Sequence, residues 1–140
     1  MLLKRFDDFT INARKHSNTA VDYAKSFGKN LDFSSKSIAD LEKILDFYSD
    51  DIKICEPTEK QVWTMDLIFG SYLGETMLSN GLRKKGFVWD IIGDSHIPVL
   101  KLDKDNYLTP INKVFNRLIN GDLDNTISFY DVFMKDFDLN

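Results

Sequence analysis

Apolar side chains recur at three- and four-residue steps along most of this chain, and at two-residue steps only between residues 87 and 109. The first period places side chains on one face of a helix, the second on one face of a strand. Phe6, Phe9, Ala13, Ala20, Ala24 and Phe27 mark a first helix over about Lys4 to Phe27, with Gly28 available as a left-handed stop. His16 and Ser17 interrupt that stripe and predict a frayed or exposed middle. After the extended link Leu31-Asp32-Phe33, Ser34 or Ser35 can cap a second helix through its hydroxyl. Ile38, Leu41, Ile44, Leu45 and Tyr48 form its buried stripe, and the pair Asp50-Asp51, opposing the helix dipole, predicts its end.

Thr58 and Gln61 have the spacing of a capping box and open a third helix that reaches about Ser79, before Asn80-Gly81. It is apolar on most faces, from Val62 and Trp63 through Ile68, Phe69, Tyr72 and Leu73 to Met77, which is the pattern of a central buried helix. Gly70 and Gly74 lie one turn apart on it and leave room for close packing. The period of two then gives strands at Phe87–Ile92, Ile97–Leu102 and Tyr107–Thr109, with turns at Gly93-Asp94 and Asp103–Asn106. Pro98 lacks an N–H for a ladder bond, which points to an edge position for the second strand. Pro110 starts a fourth helix that Gly121 ends, and Asp124 or Asn125 caps a fifth carrying Ile127, Tyr130, Phe133, Met134 and Phe137. The order is three N-terminal helices, a three-stranded antiparallel meander and two C-terminal helices: an α+β fold. No repeat or linker divides residues 1–140, so the expectation is a single domain.

Composition strengthens this picture. Of 140 residues, 43% are apolar and 11 are Phe, a stock that supports a packed core and argues against disorder. The formal net charge of −4 sits at one end: Asp122, Asp124, Asp131, Asp136 and Asp138 against Lys135 after residue 119. A basic cluster of only Arg83-Lys84-Lys85 is too small to track a phosphate backbone, so nucleic acid is not an expected partner. The acidic end would instead suit a basic protein partner. Cys55 is the only cysteine, so no internal disulfide forms. The N-terminal segment has no apolar core or cleavage site of a secretion signal, and Leu67 to Gly74 is far shorter than the roughly 20 residues that cross a bilayer. The expected location is the cytoplasm, without membrane contact.

The chemical motifs are sparse. Glu75, inside the most apolar helix, is either a carboxylate held by a Trp N–H, a Tyr hydroxyl or backbone amides, or a general acid or base with a raised pKa. Trp63, Tyr72, Phe87 and Trp89 either pack the core or line a pocket between the third helix and the sheet. Asp94-Ser95-His96 holds the residue types of a nucleophilic triad, but triads are assembled from separate elements rather than from neighbours in one turn. Asp103, Asp105 and Tyr107 begin a calcium-loop spacing that fails at Leu108 and Val114, where Gly and Glu are needed. No zinc spacing, phosphate-binding loop or dinucleotide fingerprint occurs, so no metal or cofactor is expected.

Leu31-Asp32-Phe33-Ser34, Ser37-Ile38 through Leu45, Tyr72-Leu73-Gly74-Glu75, Trp89, Pro110 and Arg117-Leu118-Ile119-Asn120-Gly121 together form a pattern over roughly residues 31 to 130. In this the chain resembles an uncharacterised family of small bacterial α+β domains, some of which accompany secreted toxins as immunity-like proteins. The resemblance implies a bacterial cytoplasmic domain and transfers no catalytic residue. The leading expectation is therefore a non-enzymatic protein-binding domain with Asp122, Asp124 and Asp131 on its binding face. Two others stand beside it. One is an oligomeric or accessory domain, a homodimer pairing through the Pro98 strand or the first helix. The other is a small ligand-binding or hydrolytic domain using Tyr72, Glu75 and Trp89.

Overall fold

The computed structural model describes residues 2–137; the Phe6 side chain and Asp138 lie outside the described residues. Helix α1 runs Leu2–Ser26, α2 Ser37–Cys55 and α3 Glu59–Met77, the last continuing into one π-helical turn at Leu78–Leu82. Strands β1 (Val88–Asp90), β2 (Val99–Asp103) and β3 (Asn106–Leu108) follow, then α4 (Pro110–Asn120), a 3-10 turn at Gly121–Asp124 and α5 (Thr126–Asp136). This is the α+β order that the hydrophobic periods predict.

Local signals account for most boundaries. Gly28 adopts φ 68° after α1. Ser34 Oγ accepts from Ser37 N–H at 3.2 Å at the start of α2. The capping box of α3 is complete: Gln61 N–H donates to Thr58 Oγ1 at 3.1 Å, and Thr58 N–H to Gln61 Oε1 at 2.8 Å. Asn125 caps α5 by accepting from Ile127 N–H at 2.8 Å.

Three expectations need correction. The middle of α1 is not frayed: Ser17 is buried, and its hydroxyl donates to Ala13 O at 2.7 Å, so Ala13, Ser17, Ala20 and Ala24 form a continuous small-residue face that lets α1 lie close to α3. Helix α2 passes through Asp50-Asp51 and stops at Glu56, which turns left-handed (φ 46°) just before Pro57. A dipole effect of about 0.3–1 kcal/mol is outweighed by packing Ile52 against the core. The Pro98 strand is central, not at an edge, because the sheet order is β1-β2-β3, with Leu100 facing both Trp89 and Leu108. Pro98 lies one residue before β2 begins and removes no ladder bond. A second copy therefore finds no free edge on that strand.

Helix α3 is the axis of the molecule, packed between α1 and α4, while α2 covers α4 and α5. Its two glycines set the distances. A Cβ on Gly70 would stand 2.5 Å from Ile111 Cα, so α4 crosses at backbone contact. A Cβ on Gly74 would overlap the Trp89 ring, which seats β1 against α3. Among the described residues no helix is long and apolar enough to cross a membrane.

Candidate functional site

Glu75 is buried, and its carboxylate is fully engaged. Trp89 Nε1–H donates to Oε2 at 3.1 Å, while Arg14 and Arg83 approach from the solvent side, each at 3.7 Å. The bond to Trp89 holds the indole against Gly74, so the carboxylate positions β1. Tyr72 points elsewhere on α3. Its hydroxyl accepts from Phe33 N–H at 2.9 Å and lies 2.6 Å from Ser37 Oγ. Ser37 Oγ gives its proton to Ser34 O at 2.6 Å, which makes Tyr72 the donor toward Ser37. Asn80 Nδ2–H donates to Phe33 O at 3.0 Å, and together these bonds hold Phe33 at φ 64°, a conformation that a side chain of this size rarely adopts. Glu75 and Trp89 thus share one task, the seating of β1, while Tyr72 holds the segment at Phe33 and Ser37.

The aromatic set divides in the same way. Trp63 stacks on Phe115 of α4 at 5.5 Å, Tyr72 meets Phe33 at 4.8 Å and Phe87 meets Phe137 at 5.1 Å. Of the four, Trp89 alone lines the cavity between α1, α3 and the sheet. In the β1–β2 connection, Ser95 Oγ accepts from Ile97 N–H at 3.2 Å and serves the turn, while His96 is exposed.

Two buried polar centres are absent from the sequence expectations. Arg117, 1% exposed, donates from Nε to Glu42 Oε2 and from its terminal nitrogen to Asp46 Oδ1, both at 2.7 Å. Glu42 Oε1 in turn accepts from Thr126 N–H and Oγ1–H, at 3.0 and 2.8 Å. This chain ties α2, α4 and the start of α5 together. Burial works to lower the Arg117 pKa, but its hydrogen bonds to Asp46 and Glu42 outweigh that and raise it. The second centre is Asp66, 0% exposed, neither of whose oxygens has a hydrogen-bond partner among the described residues. Burial alone pushes its carboxyl up to about 7. The signal for Asp66 was the one that marks Glu75, an acid in an apolar helix. No local signal marks the Arg117–Glu42 pair, whose members are 75 residues apart.

The acidic end is a surface of a different kind. Asp124 is committed to the fold, accepting from Asn120 at 2.9 Å and pairing with Lys113 at 3.4 Å, and these hydrogen bonds lower its pKa, that from Asn120 most. Asp122 and Asp131 are exposed and make no ion pair among the described residues. Beside Asp122 lies a shallow cleft of about 350 Å³ with Leu123, Phe129, Val132 and Phe133 in its walls and Lys113 at its edge. Leu123 is 90% exposed and Val132 55%.

With this geometry in hand, comparison with protein-family models, curated proteins and solved structures yields no match.

Proposed function

We propose that the chain is a non-enzymatic protein-binding domain whose recognition surface is formed by the 3-10 turn and α5, and whose partner is a basic protein that presents an amphipathic segment. The observation that carries this reading is the 90% exposure of Leu123 beside the exposed Asp122. A large apolar side chain on the tip of a turn gains nothing for the folded monomer. Flanked by apolar Val132 and Phe129, with Asp122 and Lys113 also lining the cleft, it has the composition of an interface core with a charged rim. The rim selects charge: Asp122 and Asp131 are free to pair, whereas Asp124 and Lys113 already neutralise one another. The interior supports the non-enzymatic part. Glu75 and Tyr72, the polar groups that suggested chemistry, spend their hydrogen bonds on Trp89, Phe33 and Ser37. The resemblance to bacterial domains that accompany toxins adds an immunity-like role, in which the basic partner is the protein being neutralised.

A photo-reactive amino acid at position 123 tests the surface, with position 54 as control, since Ile54 is 79% exposed on α2. The expected result is one stoichiometric, salt-sensitive cross-link to a basic protein from position 123 and none from position 54. Cross-linking only from position 54, or only to a second copy of this chain, would overturn the assignment.

A further inference from the structure

Helix α3 changes character along its length. Between Glu59 and Leu67 only Val62 and Asp66 are buried, whereas every residue from Ile68 to Leu78 is. Few side chains therefore hold the entry half. Trp63 stacks on Phe115 of α4 at 5.5 Å. On the α2 side, Val62 and Met65 border a cleft of about 170 Å³ together with Tyr48 and Ile52.

Asp66 ends this half. It lies one turn before Gly70 on the same face of the helix, and Gly70 meets Ile111 of α4 at backbone distance. Its carboxyl thus sits in the contact between α3 and α4, 0% exposed, and neither oxygen has a hydrogen-bond partner among the described residues. The charged and titratable groups around it are committed elsewhere. On α4, Lys113 pairs with Asp124, and Arg117 with Glu42 and Asp46. On α2, Asp51 accepts from the Cys55 thiol, and Tyr48 borders the cleft. On α1, Asp22 and Lys25 pair with each other, and Tyr23 meets Phe69. On the entry half itself, Glu59 and Lys60 are exposed. Burial is the one cause of the raised Asp66 pKa.

A neutral carboxyl can stay in such a contact at the cost of its unmade hydrogen bonds, but a carboxylate there needs water. The least costly way to admit water is to release the part of the fold with the fewest buried contacts, which is the entry half of α3. We propose that Asp66 is a pH-operated latch on this half: protonated, it lets the entry half sit closed on α4, and ionised, it favours a local opening of Glu59–Asp66 while the helix from Ile68 onward stays in place. The open form frees Val62 and the Trp63 ring from α4. The latch does not depend on the α5 reading. Its direction follows from the two proton affinities. The closed form keeps the proton up to about 7, and the open, hydrated form releases it at the ordinary 3.8. Opening therefore increases with pH between these values and levels off above the higher one.

The test is native-state hydrogen exchange, followed by NMR on the full chain from about pH 5 to 8 and corrected for intrinsic exchange rates. Opening constants for the amides of Val62 to Asp66 should rise about tenfold per pH unit up to neutrality, the slope of one proton, and then level off. Amides of Leu73 to Met77 should open at least about tenfold less often at every pH. Asp66→Asn, and independently Asp66→Leu, should make the entry-half opening independent of pH. A pH-independent opening in the native chain, equal opening constants in the two halves of α3, or a slope that persists in either variant would overturn the proposal.

Discussion

Two carboxylates nine residues apart on α3 are both buried and live under opposite conditions. Glu75 receives a Trp N–H and two guanidinium groups. Asp66, in the half of the helix that faces α4, receives no hydrogen bond, and burial alone lifts its pKa to about 7. The contrast teaches that an acid in an apolar helix is not one kind of object. Where donors converge, a carboxylate organises its surroundings. Where none do, the group is retained as a neutral acid and weakens the fold as pH rises. Arg117 stands closer to Glu75, a buried charge paired with Glu42 and Asp46, although its Nη1 has no hydrogen-bond partner among the described residues.

The comparison can be broken most forcefully at Arg117. Arg117→Met leaves Glu42 buried without the cation that pairs with it and should destabilise the domain by about 3–5 kcal/mol in chemical denaturation. Asp66→Leu should act in the opposite direction, stabilising by about 2–4 kcal/mol at pH 8, because it removes an unpartnered carboxyl. The pH dependence follows from the direction of the shift. The unfolded chain releases the Asp66 proton at the ordinary value of 3.8, and the folded chain holds it to about 7. Between those values the folded state binds more protons, so stability falls as pH rises and levels off above the folded value. Denaturation midpoints at a series of pH values should show this slope in the native chain and lose it in Asp66→Leu. At Glu75 the effects are smaller. Glu75→Leu strands the Trp89 N–H and should cost about 1–3 kcal/mol. Glu75→Gln keeps an acceptor for it and loses only half-exposed ion pairs, so it should stay within about 1 kcal/mol of the native stability.

Features legible in the sequence were local ones. The capping box at Thr58 and Gln61, the stop at Gly28 and the cap at Asn125 each depend on residues within four positions of one another. Gly70 and Gly74 signalled close approach because only a missing Cβ admits Ile111 and Trp89 there. The Trp N–H bond to Glu75 was among the expected alternatives, since a buried carboxylate needs a donor and few are present. The misreadings came where a weak local preference met a stronger packing term. Asp50-Asp51 opposes the helix dipole, yet Ile52 packs into the core and α2 continues. Pro98 suggested an edge, yet its strand is the middle of the meander and begins just past the ring. The Arg117–Glu42–Thr126 chain was illegible because it exists only once distant segments fold together.

The proposed function rests on a division between interior and surface: Glu75 is engaged by the fold, and exposed Asp122, Asp131 and Leu123 are the proposed recognition residues. The most direct test is calorimetric titration, at low salt, of the cross-linked partner with two variants side by side, Asp122→Lys/Asp131→Lys and Glu75→Gln. The account predicts at least about a tenfold loss of affinity for the surface variant and native affinity for Glu75→Gln. Native binding by the surface variant, with loss of binding in a folded Glu75→Gln, would contradict it.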